Sequence, residues 1–172
     1  MKTFSNYIGG EFTASKEWLP VFNPATGEQY AAVAESTPED VSAAVEASRS
    51  AFRSWSTMPA RERAAWLRKL AAGIAAKQEA FAQAETQDTG KPIRLSSTVD
   101  IPRSIHNFEF FADAATQFSS ESHHEPGMVN YTLRQPLGPV VCISPWNLPV
   151  SYTHLRAHET KANLVCRLLL EK

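Results

Sequence analysis

Gln135-Pro136-Leu137-Gly138-Pro139-Val140-Val141-Cys142-Ile143-Ser144-Pro145-Trp146-Asn147-Leu148-Pro149 is the stretch whose reading decides the fold. Gln135 to Gly138 has turn chemistry, and Val140 to Ile143 is short, apolar and β-branched, as a strand buried on both faces should be. A loop follows at once. In open α/β sheets ligands bind just beyond the carboxyl ends of strands, so Ile143 to Pro149 lies where a site is expected. Pro145 and Pro149 restrict the backbone around Trp146-Asn147, which holds the Asn147 amide in one orientation with two N–H donors and no charge to titrate. A donor already aimed is what a developing oxyanion needs. The same residues also allow a plain Pro-bounded turn, in which Asn147 bonds its own backbone and Trp146 fills the core.

Working back toward the amino terminus, three helical segments precede this strand. Thr37-Pro38-Glu39-Asp40 has a capping threonine, a proline suited to the first helical position and two acids at the positive end of the dipole. Val41, Val45, Ser48, Phe52 and Trp55 then share a face. A second helix is predicted from Met58-Pro59 to Gly90, with Leu67, Leu70, Ile74 and Phe81 as its buried stripe and Lys91-Pro92 behind the stop. Ile101, Ile105, Phe108, Ala112 and Ala115 mark a third, which places Pro102 in its first turn. Trp55, Trp66 and Phe81 read as core, because aromatics at helical spacing are usually that.

The first 36 residues read instead as short antiparallel strands. Tyr7-Ile8 and Glu11-Phe12 flank Gly9-Gly10, and Val21-Phe22 runs into the turn Asn23-Pro24-Ala25-Thr26-Gly27. Beyond the third helix, Glu121 to Gly127 is polar, and Val129 to Leu133 alternates like a strand. The fold class is therefore α/β, strands and helices leading toward a parallel sheet.

Composition excludes several functions. Seventeen basic residues balance eighteen acidic ones for a formal charge of −1, without the clustered Lys and Arg expected of a nucleic-acid or anionic-membrane partner. Nothing is long and apolar enough for a membrane span, and Met1 to Ile8 lacks a signal peptide's pattern. Cys142 and Cys166 form neither a disulfide framework nor a metal-binding spacing, which fits a reducing cytoplasm. Cys142, in an apolar strand, reads as a small hydrophobe rather than a nucleophile. His106, His123 and His124 lack a ligand constellation, so no metal is expected. Lys91 reads as a charge near a helix carboxyl end.

Four motifs, in order along the chain, carry a resemblance to a known family. Ile143-Ser144-Pro145-Trp146-Asn147-Leu148-Pro149 resembles the signature loop of the aldehyde dehydrogenase superfamily. Asn23-Pro24-Ala25-Thr26-Gly27 is similar to the family's early turn, Thr89-Gly90-Lys91-Pro92 to its helix end, and Arg134-Gln135-Pro136-Leu137-Gly138 to its approach to the strand. The resemblance implies an incomplete aldehyde dehydrogenase fold, its opening strands and helices leading into a partial Rossmann-like cofactor domain. It implies NAD or NADP as cofactor, a small aldehyde as substrate and a homo-oligomer built partly on the opening strands and the Val129 to Leu133 region. Asn147 takes the role of the catalytic asparagine that stabilises the oxyanion formed when a cysteine attacks the aldehyde. Ile143, Ser144, Pro145 and Trp146 match positions lining the cofactor cleft, and Leu148 a position near the substrate tunnel. Leu148 and Cys142-Ile143-Ser144 resemble the branch acting on muconic semialdehydes.

The resemblance stops after Pro149. Val150 to Thr160 and Leu164 to Lys172 instead resemble translated sequencing-library adapter, both in one reading frame, with a barcode-length interval between them. The expected organisation is an amino-terminal aldehyde dehydrogenase part at 1–149, without the family's later nucleophile and general base, and a non-native tail at 150–172. His154, His158 and Cys166 then have no function, and the chain by itself is expected to be inactive. A rival class, a noncatalytic helical or α+β interaction module, would leave Asn147 structural.

Overall fold

A computed structural model describes residues 1–143. Short strands open the chain: β1 Lys2–Phe4, β2 Asn6–Ile8, β3 Glu11–Thr13, β4 Trp18–Phe22 and β5 Gln29–Ala34. β2 and β3 form an antiparallel hairpin turned by Gly9 and Gly10, at φ 61° and 89°. Positive φ at both central positions matches the right-handed strand twist, and glycine adopts it at least cost. β4 and β5 pair antiparallel through the Asn23 to Gly27 turn. There Asn23 Oδ1 accepts the Ala25 N–H at 2.9 Å and Asn23 O accepts the Gly27 N–H at 2.8 Å. β1 departs from the antiparallel expectation and runs parallel to β5, giving the order β1-β5-β4. Because β2, β3 and β4 intervene, the chain has length enough to re-enter β5 in β1's direction, which a tight hairpin forbids.

Thr37 closes α1, Pro38–Trp55, with a capping box: its Oγ1 accepts the Asp40 N–H and Asp40 accepts the Thr37 N–H at 2.8 Å. Of the predicted stripe, Val45, Ser48, Phe52 and Trp55 are half-buried and Val41 is 58% exposed. Ala44 is the buried residue of this helix. A stripe is buried only where a second surface meets it, and among the described elements it is the short strand β2 that meets α1 most.

The long helix predicted from Pro59 to Gly90 is two, α2 Ala60–Ala75 and α3 Gln78–Thr89. At the break Lys77 N–H reaches back only three residues, to Ile74 O at 3.0 Å, and Lys77 leaves helical geometry at φ −123°. The third predicted helix is present undivided as α5 Ile101–Thr116, but it is preceded without a loop by α4 Ile93–Leu95 and a π turn at Ser96–Asp100, which the sequence reading did not include. Pro102 does sit in the first turn of α5. The helix nevertheless continues behind it, because the π turn accommodates a residue that has no N–H and whose ring crowds the preceding turn.

α2 and α5 pack lengthwise and make the core. Ala64, Leu67, Ala71 and Ile74 meet Ile101, Phe108 and Ala112, with Ala82 arriving from α3 and Leu70 and Ile105 at the margin. Alanines at the centre let the helix axes approach closely. Two aromatics read as core are not: Phe81 and Trp66 are more than a third exposed, with the Lys69 ammonium 4.7 Å from the Trp66 ring. Neither belongs to the apolar cluster of the α2/α5 seam; Phe81 instead faces a cavity it shares with Phe4, Val21, Tyr30 and Val33 of the opening strands. β6 Ser122–Glu125 and β7 Met128–Tyr131 form an exposed antiparallel hairpin turned at Pro126-Gly127, where Gly127 has φ 82°. β7 overlaps the strand read at Val129 to Leu133, whereas β6 falls within the segment read only as polar, which has no apolar alternation to announce it.

A group of buried charges joins these pieces. Lys91 Nζ donates to Glu85 Oε1 at 3.0 Å and to Asp100 Oδ2 at 3.2 Å, tying α3 to the π turn. Both acids are almost wholly buried, Glu85 at 4% exposure and Asp100 at 8%. Burial pulls the Lys91 pKa down, but hydrogen bonds to and charges on Glu85 and Asp100 outweigh it, so the net shift is upward. Next to this clasp, Gly90 ends α3 at φ 73°, and a Cβ added there would meet Pro24 Cγ at 2.9 Å. Tyr30 OH donates to Asp88 Oδ1 at 2.9 Å, linking β5 to α3. Burial, then that bond and the Asp88 charge, push the Tyr30 pKa up to about 12.

Lys91→Met should strand two buried carboxylates and cost about 3 kcal/mol in urea unfolding at pH 7. Adding Glu85→Gln and Asp100→Asn should recover most of that loss. Because the folded pKa of Lys91 is raised, its contribution is complete below the ordinary lysine value of 10.5 and is lost as pH rises through the folded value. The gap between wild type and Lys91→Met should therefore narrow above pH 10.5. An undiminished gap would count against the charge as its cause. Gly90→Ala should cost about 2 kcal/mol, and less in a Pro24→Ala background; equal costs would show that the two turns are uncoupled.

Candidate functional site

After β7 the chain has neither helix nor strand through Val141, and its start is held by Thr132 N–H on Glu121 O at 2.9 Å and by the Arg134 guanidinium 4.4 Å from the Phe118 ring. The predicted strand Val140 to Ile143 is present only as a single bridging position at Cys142, which is buried, while Val140 and Val141 are exposed. Apolar β-branched sequence becomes a strand only when neighbours complete its ladder, and a parallel strand needs one on each side. Among the described residues the parallel sheet expected here is not built.

Of the predicted site residues, Ile143 is described and is 70% exposed. Ser144, Pro145, Trp146, Asn147 and Leu148 lie outside the described residues. Ile143 therefore presents an apolar side chain to solvent where the cofactor contacts were expected. Its donor-free surface can pack against a flat ring but can fix none of its polar edges.

Cys142 is 6% exposed and sits between apolar neighbours, in keeping with a packing role. His123 and His124 are successive residues of β6, opposite Asn130 and Val129, so their side chains leave opposite faces of the hairpin. Among the described residues no group of three or more His, Cys, Asp or Glu side chains could hold a metal ion. Nor is any described helix long and apolar enough to cross a membrane.

The role of Lys91 went unread in the sequence, where it passed for a helix-end charge. A signal was there: Glu85 shares a helical face with Ala82 and Thr89, at i−3 and i+4, and an acid on a buried stripe calls for a cation. Thr89 contributes as well, its Oγ1 donating to Glu85 O at 2.6 Å and accepting the Lys91 N–H at 3.4 Å. Thr89-Gly90-Lys91-Pro92 is thus a structural junction, each residue supplying a bond, a left-handed turn or a charge.

A model of the aldehyde dehydrogenase family matches residues 12–164. The chain belongs to the aldehyde dehydrogenase family. All four motifs, from Asn23 to Pro149, fall inside that match. Among curated relatives, the chain is 44% identical over 147 residues to 2-aminomuconic semialdehyde dehydrogenase of Bos taurus, covering 84% of this chain and 30% of that protein. It is 41% identical over 158 residues to 2-hydroxymuconic semialdehyde dehydrogenase of Pseudomonas sp. (strain CF600), covering 87% and 32%. An aldehyde dehydrogenase from Bacillus cereus, solved as its NAD+ complex, superposes with a TM-score of 0.83 at 35% identity, covering 87% of this chain and 32% of that one. The chain thus spans less than a third of the length of these relatives.

If Cys142 is a packing residue, iodoacetamide should alkylate it at least about tenfold more slowly in the native chain than in urea. Peptide mapping separates it from Cys166. Equal rates would return Cys142 to the list of reactive thiols.

Proposed function

We propose that these residues come from an NAD(P)-dependent aldehyde dehydrogenase that oxidises a small aldehyde, of the muconic semialdehyde type, to the carboxylic acid. The observation that carries this is the family match running through Ile143 to Pro149, the loop that holds Asn147. Relatives named for 2-aminomuconic and 2-hydroxymuconic semialdehydes support the substrate class. The NAD+ complex of the Bacillus cereus relative supports the cofactor.

Asn147 is assigned the catalytic role. When a cysteine thiolate adds to the aldehyde carbon, the carbonyl oxygen gains a full negative charge, and a neutral amide donor stabilises it without giving up a proton. Prolines on both sides of Asn147 in the sequence restrict the backbone there, which favours an amide that needs little reorganisation as charge appears. The bound nicotinamide cofactor supplies the hydride acceptor. Ile143, Ser144, Pro145 and Trp146 are assigned to its cleft, where exposed Ile143 fits the apolar part of the contact. Leu148 is assigned to the aldehyde side. The nucleophile and the base that activates the hydrolytic water belong to sequence that follows Asn147 in the family, so the 172 residues alone have no dehydrogenase activity.

The exposed β6–β7 hairpin supports a homo-oligomer, since an isolated two-stranded hairpin is marginal in water and gains a third strand from a partner. Two cysteines without disulfide spacing support a cytoplasmic setting. The division at Pro149/Val150 is proposed as the end of native sequence, on the agreement of both tail segments with adapter in one frame. The family match itself continues to residue 164.

Asn147→Ala in the uninterrupted enzyme should lower kcat about 10²–10³-fold while leaving NAD+ affinity by titration close to wild type. An unchanged kcat would remove Asn147 from the chemistry. The purified 172-residue chain should form no NADH from a muconic semialdehyde, and cysteine-dependent turnover there would refute the assigned division of labour. A DNA read across the Pro149/Val150 junction from an independent genomic clone decides the origin of the tail; the same tail in that clone would make it native.

A further inference from the structure

The π turn at Ser96–Asp100 is held from outside the helix that contains it. Ile101 N–H donates five residues back, to Ser96 O, rather than to Ser97 O as in an α-helix. Ser97 O is taken instead by the side-chain amide of Gln78, at the first turn of α3, with Nε2 3.0 Å away. Lys91 fixes Asp100 at the far end of the turn, at 3.2 Å. Ser96 is held as well, its Oγ 2.9 Å from Thr86 Oγ1. Pro102 has no N–H with which to claim Thr98 O, so α geometry gains one hydrogen bond fewer here than elsewhere. Beside the turn lies an open cavity of about 410 Å³ lined by Gln78, Ala82, Ile93 and Ser97, so the segment ahead of the turn has room to move.

We propose that Ser96–Asp100 is a two-register latch, kept in the π register by Gln78 on the Ser97 carbonyl and by Lys91 on Asp100. When Gln78 lets go, Ile101 N–H takes Ser97 O. One residue of helical register is then lost, and the Ile93–Leu95 turn swings about 100° around the helix axis toward the cavity. The latch couples the start of α3 to the orientation of the segment that follows Gly90. It does not depend on the catalytic assignment above.

The hydrogen-bond partner of Ile101 can be read directly in the full 172-residue chain, labelled with ¹³C and ¹⁵N, from scalar coupling across the bond. Wild type should show coupling from Ile101 N to the Ser96 carbonyl carbon. Gln78→Glu, which keeps the shape and removes the donor, should move that coupling to Ser97 in at least half of the molecules, with the α2 amide resonances Ala64 to Ala71 unchanged as a control of folding. Pro102→Ala, a substitution toward a better helix former, should retain the Ser96 coupling, and Gln78→Glu with Pro102→Ala should show Ser97 coupling throughout. If Gln78→Glu does not fold, Gln78→Asn, too short to reach Ser97 O, replaces it in both tests. Ser96 coupling persisting without the Gln78 donor would overturn the proposal. So would conversion by Pro102→Ala alone, which would make the proline and not Gln78 the holding element.

Discussion

One ammonium group between two buried carboxylates sets the arrangement of everything around it. Glu85 on α3 and Asp100 in the π turn would each be costly to bury alone, and Lys91 lies between them on the short connection that joins their elements. A buried ion pair adds little net stability over a well-packed apolar replacement, but it punishes every arrangement that separates its members. That asymmetry is what makes it a constraint. α3, the Gly90 turn and the start of α5 can be pulled apart only by exposing or orphaning a charge, so their proximity is selected even where apolar packing is thin.

Other contacts extend this junction toward the strands. Pro24, in the turn between β4 and β5, closes on Gly90, and Tyr30 on β5 reaches Asp88 on α3. The two turn motifs, some sixty-five residues apart in sequence, are therefore one contact in space. Asn23-Pro24-Ala25-Thr26-Gly27 presents a proline ring, and Thr89-Gly90-Lys91-Pro92 presents a backbone without a Cβ to receive it. Away from this junction, packing changes character. The α2/α5 seam is apolar and alanine-rich, while α1, Trp66, Phe81 and the β6–β7 hairpin keep surface that no described residue covers.

Much of this was legible beforehand. Capping by Thr37, the Gly9-Gly10 and Asn23 to Gly27 turns, the Gly90 stop and the seam residues Leu67, Ile74, Ile101 and Phe108 all follow from local chemistry or from period. Errors arose where a distant element decides. The break at Ala76-Lys77 has no glycine or proline to mark it, and the parallel β1/β5 pairing depends on where the chain returns. Val140 to Ile143 has a strand's composition, but among the described residues it does not find the neighbours that make a strand. The site is legible chiefly in its motif, since of its residues Ile143 alone is among those the structure describes.

Sequence by itself determined the family, through four motifs in order, and the positions of caps, turns and helix periods, because these depend on side chains within a few residues of one another. Tertiary structure decided which stripes are buried, that Lys91 bridges Glu85 and Asp100, and that the helix before Pro102 widens into a π turn. Those outcomes depend on charges and surfaces brought together from distant parts of the chain, and burial gives a charge or an apolar face its energetic weight only once something covers it.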